Sequence, residues 1–143
     1  MGYIISTKGR YALRVMIDLA RNGKGGKIPL KEIAERQEIS LKYLETIMPS
    51  LIKANLVVGS HGKGGGYSLS RPPEDYTVGE ILRVTEGSIA PVACLECGFI
   101  CDRAESCNTL PLWRKLDEMI TNYLNTVKLV DLLSGDIPGV GTA

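Results

Sequence analysis

Between Gly59 and Gly66 the chain reads Gly-Ser-His-Gly-Lys-Gly-Gly-Gly, bracketed by two short strand-like runs, Leu56-Val57-Val58 and Tyr67-Ser68-Leu69. Such a glycine-rich stretch opposes a helix, because glycine gives up the most backbone entropy on ordering. Two strands joined by it read as a β-hairpin with a flexible, basic tip. What precedes the hairpin narrows the fold further. Leu13, Met16, Ile17 and Ala20 recur at helical spacing and predict an amphipathic helix over about 7–21. Asn22-Gly23-Lys24-Gly25-Gly26 breaks it. A second helix is expected from Pro29, suited to the first turn, to about Gln37, with Ile33 and Ala34 facing inward. Ser40 then caps a third helix over about 41–54, which buries Leu44, Ile47 and Leu51. Two helices across a tight turn, followed at once by a hairpin, give the order of a winged helix-turn-helix.

The third helix has a polar face as well. Lys42, Glu45 and Thr46 lie at i, i+3, i+4 near its N-terminus, where such a helix reaches base edges. Taken alone, they read equally as a solvated face. Pro49 denies Glu45 a helical hydrogen bond, and a kink is expected there. The glycine run does not read as a phosphate loop, since no Gly-Lys-Ser/Thr ends it and no helix follows. His61, the sole histidine, belongs at an exposed hairpin tip rather than in a catalytic pair. The net charge of +1 conceals a division. Residues 1–71 carry 12 Lys/Arg against 5 Asp/Glu, or +7, and residues 72–143 carry 5 against 11, or −6. The basic front half suits a polyanion, and the acidic back half stays off it.

In the back half, Thr77-x-x-Glu80 forms a capping box that opens a helix over about 78–86, stopped by Gly87. From Pro111, a stripe of Leu112, Leu116, Met119, Ile120, Tyr123, Leu124 and Val127 marks a long helix over about 111–126. A short helix over 129–133 follows. One long apolar helix beside a small head either caps its own domain or pairs with a second copy; the pairing reading is preferred. Between these helices lie all four cysteines, Cys94, Cys97, Cys101 and Cys107, spaced C-x2-C-x3-C-x5-C. Thiolates gathered in one loop suit an iron–sulfur cluster or an all-thiolate zinc site. A thiol switch needs only two of them, one with a lowered pKa. No apolar run is long enough to span a bilayer and no secretory signal opens the chain, so a cytoplasmic, reducing location is expected. No acid/base pair or nucleophile–base arrangement suggests an enzyme. An electron-transfer iron–sulfur protein would have no need of a basic winged helix.

Four stretches closely resemble the IscR-type (Rrf-family) bacterial transcription regulators, with CymR and NsrR among the relatives. They are Ser6-Thr7-Lys8-Gly9-Arg10-Tyr11-Ala12, Ile39-Ser40-Leu41-Lys42-Tyr43-Leu44-Glu45, Gly62-Lys63-Gly64-Gly65-Gly66-Tyr67 and Thr77-Val78-Gly79-Glu80-Ile81. The resemblance runs from about residue 4 to 133. It implies a homodimeric regulator, repressor or activator, that binds a pseudo-palindromic promoter site on double-stranded DNA. It implies DNA contacts from Lys8, Arg10, Ser40, Lys42, Tyr43, Glu45, Thr46, His61 and Lys63, with Glu45 at the position that discriminates site types. It also implies an iron–sulfur cluster, 2Fe–2S ahead of 4Fe–4S, on Cys94, Cys101 and Cys107. This sequence departs from the pattern in three places. Leu110 stands where a histidine ligand is expected, Arg10 where some relatives supply an aspartate, and His61 where the wing carries an arginine. Cys97 is a candidate fourth thiolate, and Glu96, Asp102 and Glu105 are alternative oxygen ligands; zinc, or no cofactor, remains the alternative.

The expected fold is mainly α with a small β-wing: a winged helix-turn-helix plus a long C-terminal dimerisation helix. The expected division is a DNA-binding domain at 1–71, a sensor loop (94–107) with dimerisation helices at 72–133, and a flexible tail at 134–143.

Overall fold

The structure, a computed structural model, describes residues 5–60, 62–95, 103 and 105–141. Six α-helices and one antiparallel strand pair follow one another among them. The order is α1 (Thr7–Asn22), α2 (Leu30–Gln37), α3 (Leu41–Lys53), β1 (Val57–Ser60), β2 (Gly66–Leu69), α4 (Val78–Glu86), α5 (Leu110–Thr126) and α6 (Leu129–Ser134). The chain is thus mainly helical with a small wing. Short 3-10 turns lie at Gly23–Gly25, Pro73–Asp75 and Ala93–Leu95.

α1 is the central helix of the front half. It packs against α2, α4, α6 and β2, so more than one stripe of it is covered. Its fully buried apolar positions are Ala12, Val15, Met16 and Leu19, whereas Leu13, Ile17 and Ala20 are only partly buried. The sequence reading therefore placed the buried face too far round the helix, because enclosure on several sides blurs a simple amphipathic pattern. Asp18, 1% exposed, is the polar residue within this core. It accepts from Arg36 at 2.7 and 3.0 Å and from Gln37 Nε2 at 3.0 Å, tying α1 to α2. Burial alone would raise its pKa, but the hydrogen bonds and charge of Arg36, with Gln37 and Asn22, hold it below the ordinary carboxylate value.

Pro29 caps α2 from an extended conformation (φ −60°, ψ 141°) rather than occupying its first turn. Ser40 Oγ accepts the Tyr43 N–H at 3.1 Å and so caps α3. α3 then continues through Pro49, which is exposed. Glu45, whose carbonyl loses its helical donor to Pro49, is likewise exposed.

The hairpin register pairs Val57 with Leu69 and Ser60 with Gly66, so the strands reach further into the glycine run than its composition suggests. Ile28 joins them as an extra rung, exchanging two 2.8 Å backbone hydrogen bonds with Tyr67. Gly66 explains this approach. Its φ is +149°, and a Cβ there would lie 2.6 Å from the Ile28 carbonyl. At this position glycine serves close backbone contact rather than flexibility. Tyr76, fully buried, locks the base of the hairpin. Its hydroxyl donates to the Leu56 carbonyl at 2.7 Å and accepts from the Ser70 and Arg71 N–H groups at 3.0 Å each. The Arg71 guanidinium lies 4.3 Å from the ring centroid and pairs with Glu80 at 2.6 Å.

α4 and α5 pack together around a second, smaller cluster, while α6 packs on α1. Val78, Leu82, Ile89 and Val127 are the buried centre of that cluster, with Ile5, Leu13, Ile120, Leu124, Leu132 and Ile137 packed around it. The long stripe on α5 therefore divides. Ile120, Leu124 and Val127 turn inward, while Leu112, Leu116, Met119 and Tyr123 remain 38–59% exposed. These four positions follow i, i+4, i+7, i+11 and form a single outward face. Beyond α6, Ile137 joins the second cluster and Tyr123 donates its hydroxyl proton to the Pro138 carbonyl at 2.9 Å. No helix among the described residues is long and apolar enough to cross a membrane.

Candidate functional site

The geometry of α3 separates its residues by role. Leu44, Ile47, Met48 and Leu51 are buried, which leaves Ser40, Lys42, Glu45 and Thr46 exposed on the opposite side. The polar face expected from the sequence is therefore present. Thr46 Oγ1 donates to the Tyr43 carbonyl at 2.6 Å, which uses its proton and leaves the exposed hydroxyl oxygen as an acceptor. Tyr43 is half-buried, its ring edge-on to Tyr11 with centroids 5.6 Å apart and planes at 85°. Arg14 lies over the Tyr11 ring at 5.3 Å and also bonds the side chain and carbonyl of Gln37. This aromatic and cationic stack fixes Tyr43 against α1.

The other expected contacts lie on two further elements. Lys8 and Arg10 sit in the first turns of α1, Lys8 half-buried and Arg10 exposed with its guanidinium donating to Thr7 Oγ1 at 3.2 Å. Lys63 is exposed at the hairpin tip. His61 lies outside the described residues. Among the described residues, Lys42, Lys53 and Lys63 hold no ion pair, so their charges are available to a polyanion. One feature escaped the sequence reading: an open groove of about 410 Å³ between α3 and β2, lined by Glu45, Met48, Pro49, Ile52, Lys53 and Tyr67. Its signal was the recurrence of Glu45, Met48, Pro49 and Ile52 along one line of the helix.

The cysteine segment joins the ends of α4 and α5. Gly87, with φ +75°, closes α4, and the buried Ile89 pins the chain that leads away from it. Cys94, a half-buried free thiol, lies in the 3-10 turn Ala93–Leu95. Cys107, also free and half-buried, stands just before α5 with its sulfur 3.3 Å from Thr109 Oγ1. The Thr109 hydroxyl lowers the Cys107 pKa, assisted by the Thr109 and Leu110 backbone N–H groups and by the Arg103 charge. Cys97, Cys101, Glu96 and Asp102 lie outside the described residues, and Glu105 is exposed. Among the described residues, no group of three His, Cys, Asp or Glu side chains gathers at a metal position. Leu110, which stands at the family's histidine position, is 6% exposed at the head of α5. A hydrocarbon there contributes to packing rather than ligation.

Comparison with known proteins shows the family. The family model Rrf2, described as an iron-dependent transcriptional regulator, matches residues 5–135. The HTH-type transcriptional regulator IscR of Klebsiella pneumoniae (strain 342) is 39% identical over 130 residues, covering 91% of this chain and 79% of the relative. Among solved structures, CymR, the global cysteine regulator of B. subtilis, superposes with a TM-score of 0.75 at 38% identity, over 94% of this chain and 98% of its own. IscR of T. potens superposes with a TM-score of 0.74 at 36% identity, over 100% and 96% respectively. With the winged fold in place, the chain belongs to the Rrf2 family of DNA-binding transcription regulators.

Proposed function

We propose that the protein is a homodimeric transcription regulator whose hold on a pseudo-palindromic promoter site is set by an iron–sulfur cluster in the 94–107 segment. The observation that carries this reading is the placement of the cysteines between α4 and α5. α4 packs on α1 of the DNA-binding half, and α5 bears the outward apolar face. A change in the segment thus adjoins both the head and the surface where a second copy would pair.

The available donors suit the group. Cys94 and Cys107 are free thiols at the two ends of the segment, and the lowered pKa of Cys107 favours the thiolate that such a cluster requires. Cys94, Cys101 and Cys107 would hold it, with Cys97 as the fourth thiolate in place of the histidine that Leu110 cannot supply. The cluster would contribute a redox- and iron-responsive charge. The protein's own part is to position α3 and the hairpin, with Lys8, Arg10, Lys42 and Lys63 on phosphates and Ser40, Tyr43, Glu45, Thr46 and His61 completing the contact set. A cytoplasmic location accords with this role.

Cys107 also supports a second reading, in which the same regulator responds through a thiol switch, because a lowered pKa raises the reactive thiolate fraction. Anaerobic purification followed by absorbance and by iron, sulfide and zinc analysis separates the readings. The cluster reading expects a coloured protein with iron and sulfide. Colourless protein with stoichiometric zinc, or with none of the three, overturns it. In coloured protein, Cys97→Ala loses the cluster if four thiolates hold it and keeps it if Cys94, Cys101 and Cys107 suffice.

A further inference from the structure

We infer that Glu86 is a positioning residue that latches the end of α4 to the start of α1, and so carries the state of the cysteine segment to the DNA-binding half. This inference rests on the proposed control of DNA binding by that segment, and it assigns the connection to one side chain. Glu86 is the last residue of α4. A single carboxylate oxygen, Oε1, accepts two hydrogen bonds from the residue that caps α1. The Ser6 N–H donates at 2.9 Å and the Ser6 hydroxyl at 2.7 Å. Ser6 Oγ in turn accepts the Gly9 N–H at 3.4 Å, so the carboxylate orients the cap itself. A negative charge there also meets the positive end of the α1 dipole.

Gly9 shows how closely the two helices are held. It is buried, and a Cβ at this position would overlap Glu86 Oε1 and press on a Leu82 methyl 3.2 Å away. Glycine is therefore what allows the carboxylate to reach the cap. Lys8 and Arg10 flank Gly9 in the sequence, and both belong to the proposed contact set. On the other side, Gly87 follows Glu86 directly, and the chain runs on through the buried Ile89 to Cys94. One carboxylate thus links the backbone leading to the first cysteine with the turn that presents two cations. A shift of the segment that draws on Gly87 moves Glu86, and with it the cap of α1.

The test compares full-length protein with its cluster reconstituted and protein stripped by chelator. Two quantities are read in each state: affinity for a duplex selected from a random pool by the wild type, and hydrogen exchange of the Ser6–Arg10 amides. Wild type should differ between states in both, with an affinity ratio of about 5–150-fold, as expected for coupled sites. In Glu86→Ala the affinity ratio should fall to within about twofold of one, the usual tolerance for uncoupled sites. Its Ser6–Arg10 exchange should no longer depend on state. Glu86→Gln, which keeps an acceptor oxygen for Ser6, should retain most of the ratio. Gly9→Ala should reproduce Glu86→Ala, and the double variant should be no worse than either single one. A Glu86→Ala protein with the full wild-type ratio overturns the latch, as does wild-type exchange at Ser6–Arg10 that ignores the state. If Glu86→Ala does not fold, Gly9→Ala decides, and a wild-type ratio there overturns the latch. If wild-type exchange responds while wild-type affinity does not, the latch stands and the proposed control of DNA binding fails.

Discussion

Glu45 and Lys63 are both exposed and charged, yet they should fail in different ways. Glu45 sits one turn into α3 beside the groove against β2, where a carboxylate accepts hydrogen bonds from bases such as cytosine. Lys63 sits at the hairpin tip as an exposed point charge. Glu45→Ala should therefore change which sequences are selected from a random duplex pool, and unaltered preference would remove it from the specificity set. Lys63→Ala should weaken binding evenly across sequences and reduce the slope of log affinity against log salt by about 0.9. Asp18 has a different task. Its pKa is depressed, so its contribution to stability is full above the unfolded value of about 4 and drains away as pH falls through the lower folded value. Asp18→Asn should cost about 1–3 kcal/mol at neutral pH, because it replaces charge-assisted hydrogen bonds at the buried Asp18 position with neutral ones, while the partner Arg36 keeps 37% of its side chain in solvent. Acid titration of the variant, followed by circular dichroism, should show a flatter loss of stability than wild type; an unchanged acid limb would contradict the assignment.

Among the elements, α5 carries the most exposed apolar surface. Leu112, Leu116, Met119 and Tyr123 share one face, and burying a side chain of this size contributes roughly 1.5–3 kcal/mol. A second copy related by a two-fold axis would cover the face with its own equivalent. Met119→Asp places a charge at the centre of that face and should convert a two-copy mass on light scattering to a one-copy mass, with the helical circular dichroism retained. A dimer that survives the change would locate the pairing elsewhere. Much of this layout was legible in the sequence, since caps such as Ser40 and Thr77 and the stop at Gly87 are local signals. The division of the α5 stripe was not, because periodicity finds an apolar face without saying what covers it. Gly66 was misread for a related reason: its constraint comes from Ile28, 38 positions away, and no local pattern records that contact. Asp18 and Tyr76 were likewise invisible, because their partners converge only in the folded chain. At the site, the exposed face of α3 followed directly from its helical phase. The groove beside it needed the position of β2.

At the scale of the whole molecule, charge and fold describe the same division. The +7 front half holds α1–α3 and the hairpin, and the −6 back half holds α4–α6 with the cysteines between. Phosphate attraction is therefore expected of the front half, and packed helices together with side-chain bonds such as Glu86 to Ser6, Tyr76 to Leu56 and Arg71 to Glu80 join it to the back half. A regulator built this way should be switched by the cysteine segment without losing its fold, since neither core cluster draws on a described residue of 94–107. The most direct measurement is anaerobic fluorescence anisotropy of one selected duplex, comparing cluster-loaded protein, chelator-stripped protein and Cys107→Ala at fixed salt. A cluster-controlled regulator should show clearly different affinities in the first two states, with Cys107→Ala held at the stripped value throughout. Equal affinities for loaded and stripped wild-type protein would contradict the account.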